Sequence, residues 1–316
     1  MSAGALLGIG SRRSAYIALI VLTVMWGTNW IAMKFALMHA HPVLFNVQRT
    51  WVAVVTVFAV MAWQRRITWP TAWWPIVVTG FFQVTVNFGS TTMALASGGA
   101  GRTSVLVFTM PFWTMLVAWL VLHERVRGIR WFAVAFALLG LVFVVEPWRW
   151  EGDIAAKLWA VLSGFGWAAG SVATKYFQKR YRLDVVSFLG WQMLVGVLPL
   201  TPLPWLMQLE PAQWGAPYAL TLVWTASIST AVCFLMWNAI LRILPAGTAT
   251  LNTFAIPVIA LVSSMIVFGE RLTPSEWLGI AFIAAGLAIL TAQALGDSRS
   301  ERERIRVAEG ARADAS

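Results

Sequence analysis

Residues Trp131-Phe-Ala-Val-Ala-Phe136-Ala-Leu-Leu-Gly140-Leu141 return further along the chain as Trp277-Leu-Gly-Ile-Ala-Phe282-Ile-Ala-Ala-Gly286-Leu287. The offset is 146 residues (277 against 131). It also pairs Ala100-Gly101 with Ala246-Gly247, Pro111 with Pro257, and Glu124-Arg125 with Glu270-Arg271. Nearer the N-terminus, Trp26 pairs with Trp167 and Lys34 with Lys175 at an offset of 141 (167 against 26), so the second half carries a short insertion. Self-similarity over this distance means that one structural unit is built twice.

Composition says what medium the unit is built for. The chain has 316 residues, 59% of them hydrophobic and 11% charged, against about 25% charged in an ordinary soluble domain. A membrane-spanning helix needs about 20 apolar residues. Ten such runs are legible: Tyr16–Met38, Val43–Trp63, Trp73–Ala96, Arg102–Leu122, Ile129–Val145, Ala155–Phe177, Val185–Trp205, Ala216–Leu241, Ala246–Phe268 and Glu276–Ala294. Five fall in each repeat, and because five is odd, successive units lie in the membrane in opposite orientations. The expected fold is an all-α integral membrane protein of ten transmembrane helices, arranged as two inverted five-helix repeats over residues 15–146 and 155–295. Residues 1–14 form a cytoplasmic segment, and the Arg/Glu-rich residues 296–316 form a cytoplasmic tail expected to be disordered. The apolar run after Arg12 and Arg13 has no small-residue cleavage site and reads as the first span, not as a removed signal.

The formal net charge of +10 would suggest nucleic acid on a soluble protein. Here the basic residues sit in short loops and the tail. Arg12, Arg13, Arg65, Arg66, Arg125, Arg127, Arg130, Lys179, Arg180, Arg182 and Arg242 fall on one side with the tail, and Arg102, Arg149, Lys157 and Arg271 on the other. The positive-inside rule places both termini in the cytoplasm, in the inner (plasma) membrane. The lipid bilayer is the expected partner, and nucleic acid is not.

The single Cys233 and the scattered His39, His41 and His123 offer no disulfide, metal or cofactor motif. There is no phosphate-binding loop and no nucleophile elbow. A lipid-modifying enzyme would need a juxtamembrane cluster of His, Asp or Cys, and only His123 beside Glu124 comes near one. A channel would show a charged ring or a filter-like loop. Neither an enzyme nor a channel is expected.

Mid-depth polar and aromatic residues are the candidates for substrate contact. Gln83, Asn87 and Thr91 lie four residues apart on one helix face. Asn29, Thr230, Asn238 and Asn252 add neutral polar groups that must face protein or water. Either interhelical hydrogen bonds or a polar-lined cavity satisfies them. Trp26, Trp167, Phe108 and Trp237 lie at similar depth and suit an apolar, aromatic or cationic substrate, or plain core. Arg49, about two turns into its helix, either holds a substrate carboxylate or phosphate or snorkels to nearby headgroups. Lys34 and Lys175 end their helices and suit the negative helix terminus. Pro111 and Pro257 each remove a backbone donor near mid-helix and are candidate hinges. None of the acids lies at mid-membrane, so the usual carboxylate proton relay is missing. Gly166-Trp-Ala-Ala-Gly170 offers a small-residue face for a neighbouring helix, and it leaves a homodimer open.

With Met25-Trp26-Gly27-Thr28-Asn29-Trp30, the paired Pro111 and Pro257, the paired Glu-Arg endings and the two Trp…Gly helices in view, the chain resembles the drug/metabolite transporter superfamily. Within it, the chain is similar to the EamA family over about residues 15–294. The resemblance implies a secondary transporter of small organic metabolites, exporting amino acids or related compounds. Nucleotide-sugar or phosphorylated-sugar exchange and multidrug efflux are the alternatives.

Overall fold

The computed structural model describes residues 9–65, 67–123, 128, 130–145, 154–181, 185–241, 243, 255–286, 288, 289 and 292. Glu124-Arg125, Ala246-Gly247, Asn252 and the tail lie outside that set. Among the described residues, all regular structure is helical. Helix α1 (Arg12–Ala36) opens on a capping box, in which Ser11 and Ser14 each accept the other's backbone N–H. Helix α2 (Pro42–Trp63) begins with a proline, where no backbone donor is needed.

Helix α3 runs through three continuous pieces, α-helical Trp73–Gly80, π-helical Phe81–Val86 and α-helical Asn87–Ser97. Helix α4 is split into Ala100–Val107 and Met110–Leu122 by a turn at Phe108–Thr109. Helices α5 (Arg130–Val145), α6 (Ile154–Arg180) and α7 (Val185–Val197) follow. Helix α8 repeats the plan of α3, with Ala216–Val223, π-helical Trp224–Val232 and Cys233–Leu241. In both, an eight-residue α-helical lead precedes the π segment. Helix α9 is Ala255–Phe268 and α10 covers residues 274–286.

The apolar run expected to carry α7 to Trp205 stops being helical at Val197. Pro199 disfavours the α conformation at Leu198, and Pro202 and Pro204 allow only the single turn Leu203–Leu206. Composition registers apolar length, whereas proline spacing decides where hydrogen bonding ends.

Among the described residues, four helices are long and apolar enough to cross a membrane: Arg13–Ala36, Pro42–Trp63, Ala100–Leu122 and Ala216–Trp237. Trp131–Val144, Val186–Val197 and Ala255–Phe268 are shorter apolar helices. Their outward faces are apolar too. On α9, Val258, Val262 and Ile266 are exposed at four-residue intervals, while Ile256, Ala260 and Ser264 point inward. Apolar stripes of this extent on the outside of a bundle mark a lipid-facing surface. Trp63, Trp69, Trp74, Trp205 and Trp214 stand exposed near helix ends, where amphipathic rings favour the water–lipid boundary.

The halves interlock. Helix α6 packs on α3 and on α4, and α1 packs on α8 and on α9. Helix α7 lies against α2 and α3, α8 against α2, and α4 against α9. A Cβ on Gly140 of α5 would lie 2.6 Å from the Gly279 carbonyl oxygen of α10, and a Cβ on Gly286 would lie 2.8 Å from that of Ala133. Only glycine lets these backbones approach so closely. The Gly166/Gly170 face is used inside the chain, where it seats the π segment of α3 through Phe82, Gln83 and Val86.

Candidate functional site

The interior of the bundle holds a cavity of about 600 Å³, lined from α1, α2, α3, α4, α6, α7, α8 and α9. Of the residues singled out in the sequence, Trp26, Asn29, Arg49, Gln83, Asn87, Thr91, Phe108, Pro111, Trp167, Thr230 and Trp237 all line it. Asn252 lies outside the described residues. Asn238 is helical, but its side chain is not described. Pro257 is buried near the start of α9 and does not line the cavity.

Local helix geometry explains why these side chains meet. A π-helical stretch places one more residue per turn than its neighbours and so re-aims the side chains that follow. In α3 it carries Gln83 and precedes Asn87; in α8 it carries Ser229 and Thr230. Thr230 Oγ1 donates to the carbonyl of Thr225, five residues back, at 2.7 Å. The Ser229 carbonyl accepts from Trp26 Nε1 at 2.9 Å, which pins this tryptophan of α1 to the irregular turn of α8.

In α4, Pro111 stands in the first turn of the second piece and has no N–H to donate to Val107. The Val107 carbonyl faces Gly164 of α6 instead, where a Cβ would lie 2.9 Å from its oxygen. Pro111 therefore opens the helix at the cavity wall, and the missing side chain of Gly164 accommodates the opening.

Neutral polar groups are mostly satisfied by one another. Asn87 Nδ2 donates to the backbone and side-chain oxygens of Ser163, both at 2.9 Å, and the Thr91 and Ser163 hydroxyls lie 2.6 Å apart. Gln83 donates to Ser171 at 3.2 Å and accepts from Gln192. Ser163, Ser171 and Gln192 were not singled out in the sequence, since isolated Ser and Gln residues in long apolar runs carry no periodic signal. Phe234 was also missed. Its ring lies 6.0 Å from those of both Trp26 and Trp167 and joins them into one aromatic wall with Trp237.

Arg49 is 5% exposed, which rules out snorkelling to the headgroups. Its guanidinium lies 4.5 Å from the centre of the Phe88 ring, and Nη1 is 3.3 Å from Met33 Sδ. Its Nε is buried without a partner. No described acidic residue lines the cavity. Lys34, by contrast, is committed to structure. Its ammonium donates to the carbonyls of Leu95 at 2.6 Å and Gly98 at 2.7 Å, capping α3. Beside it, Glu270 sits over Gly99 and Gly101 at the start of α4 and accepts from Ser264. Arg102 pairs with buried Glu276 at 2.9 Å. These contacts join the end of α1 and the end of α3 to the start of α4 and the segment between α9 and α10.

The EamA-like transporter family matches the chain twice, over residues 13–146 and 154–292. A Bacillus subtilis protein named "Uncharacterized transporter YoaV" is 24% identical over 281 residues, covering 87% of this chain and 96% of its own. A Salmonella typhimurium protein named "Probable amino-acid metabolite efflux pump" is 26% identical over 299 residues, covering 88% and 95%. One solved crystal structure shares the fold with a TM-score of 0.61 at 20% identity, over 90% of this chain and 98% of that one.

Proposed function

The chain belongs to the EamA-like transporter family, and we propose that it is a secondary carrier exporting amino acids or related small metabolites across the inner membrane, with both termini cytoplasmic. In this reading the ten helical segments form two inverted five-helix halves that alternate access to the central cavity. The observation that carries it is a cavity with polar and aromatic walls, drawn from both matched halves.

Paired contacts support the inverted arrangement. Exchanging α1 with α6, α2 with α7, α3 with α8 and α4 with α9 turns the α3–α6 contact into α8–α1, α4–α6 into α9–α1 and α3–α7 into α8–α2, and each of these is present. Under the repeat offset, Gly140 corresponds to Gly286 and Ala133 to Gly279. The two close approaches between α5 and α10 are thus one contact seen from each half. Two related halves can rock about such an axis between states of similar energy.

The name of the Salmonella relative supports an amino-acid substrate. Phosphorylated sugars fit less well, because a phosphate dianion calls for more than one cation and Lys34 is held by backbone carbonyls. The aromatic wall favours multidrug efflux as the second reading.

The test is efflux from liposomes holding the purified chain and a labelled mixture of amino acids and phosphorylated sugars, with and without a pH gradient. Amino-acid efflux that the gradient leaves unchanged is expected, since no described acid lines the cavity. Efflux confined to phosphorylated sugars against counter-substrate would replace this reading with exchange.

A further inference from the structure

Two side chains of the cavity wall, each with an unsatisfied polar atom of opposite character, donate to one sulfur atom. Met33 Sδ accepts from Asn29 Nδ2 at 3.2 Å and from Arg49 Nη1 at 3.3 Å. Among the described residues, the buried Asn29 Oδ1 has no donor and the buried Arg49 Nε has no acceptor. A thioether is a weak acceptor, and an aromatic face is a weak partner for a cation. Neither offsets the cost of burying an uncompensated charge. An orphaned acceptor and an orphaned cation held this close are complementary to a ligand bearing an anion and an N–H donor on neighbouring atoms.

From this arrangement we infer that Arg49 and Asn29 form the head-group site for an α-amino acid. The carboxylate takes the charge-assisted hydrogen bonds of the Arg49 guanidinium, and the ammonium donates to Asn29 Oδ1. Met33 contacts both side chains and so keeps them beside one another. Because the guanidinium is the only charge among the described lining residues, a carboxylate neutralises the site and a bare amine adds a second cation to it. The side chain of the ligand faces the wall of Trp26, Trp167, Phe234 and Trp237, which suits an aromatic or large apolar body.

This assignment rests on the carrier reading, so it is tested by binding, which needs no transport. Three probes are titrated onto the purified full chain in detergent and followed by thermal shift: L-phenylalanine, 3-phenylpropionate (no ammonium) and phenethylamine (no carboxylate). Phenylalanine is expected to bind about tenfold more tightly than phenylpropionate, the effect of one good hydrogen bond. It should bind about a hundredfold more tightly than phenethylamine, the effect of leaving a buried charge unpaired. Asn29→Ala should bring phenylalanine down to the level of phenylpropionate and leave phenylpropionate unchanged. Arg49→Gln should abolish binding of both acids, and Arg49→Lys should keep part of it.

Phenethylamine binding as tightly as phenylalanine, no binding of any probe, or unchanged phenylalanine binding in a folded Arg49→Gln protein would each overturn the assignment. If Arg49→Gln does not fold, the response of the two acids to Asn29→Ala decides alone. Efflux of organic solutes persisting after such a failure would leave the carrier reading intact. Loss of both would end it.

Discussion

Lys34 and Arg49 are both long cations inside apolar helices, and the structure gives them opposite tasks. Lys34 closes the C-terminal end of α3 by donating to Leu95 and Gly98, where the carbonyls lack helical partners. Lys34→Met is expected to lower stability by about 1.5–3 kcal/mol, the contribution of hydrogen bonds to a charged donor, read as a lower melting temperature in detergent. An unchanged melting temperature would show that the cap is dispensable. Arg49 has an aromatic face, a sulfur and, among the described residues, no counter-ion. Its charge was plain in the sequence, but whether it reached the headgroups or the interior depended on which side of α2 meets α3 and α8. The polar face of Gln83, Asn87 and Thr91 was legible from spacing alone. Their partners Ser163, Ser171 and Gln192 come from α6 and α7, distant in sequence, and could not be read.

At the scale of the element, regularity is broken where the cavity lies. The π segments of α3 and α8 and the turn in α4 all carry or adjoin lining residues. Pro111 announced its own break, because the missing N–H is a property of the residue. The π segments had no such sign. An extra residue in a turn leaves the apolar composition unchanged, and only tertiary contacts, such as Trp26 on the Ser229 carbonyl, select it. Pro111→Ala is expected to slow transport several-fold while leaving the melting temperature equal or higher, since it restores a helical hydrogen bond. Wild-type rates in that variant would remove α4 as a hinge. Close backbone approaches make the opposite prediction. Gly140→Leu would place its Cβ 2.6 Å from the Gly279 carbonyl oxygen and should cost about 1–3 kcal/mol or more by overpacking, seen as a lower melting temperature. A melting temperature unchanged from wild type would mean that α5 and α10 separate freely.

For the molecule as a whole, contacts between the halves are as much a part of the fold as those within each. Helix α6 is packed on α3 and α4, and α1 on α8 and α9. Residues 1–150 and 151–316 expressed separately are therefore expected to give unstable, aggregating protein, whereas co-expression should allow a tag on one half to recover the other. A monodisperse, thermally stable isolated half would contradict this.

Much of this architecture was written in one dimension. Apolar length, the distribution of Lys and Arg, and a unit repeated at a fixed offset are properties of the chain taken residue by residue, so the sequence alone determined a helical membrane protein built twice. Which neutral polar residues satisfy each other, which cation is spent on a helix end and which stands unpaired, and where helices slip into π geometry were decided only in the tertiary structure. Each of those outcomes turns on groups that the chain separates by tens to hundreds of residues and that only the crossing of helices brings within hydrogen-bonding distance.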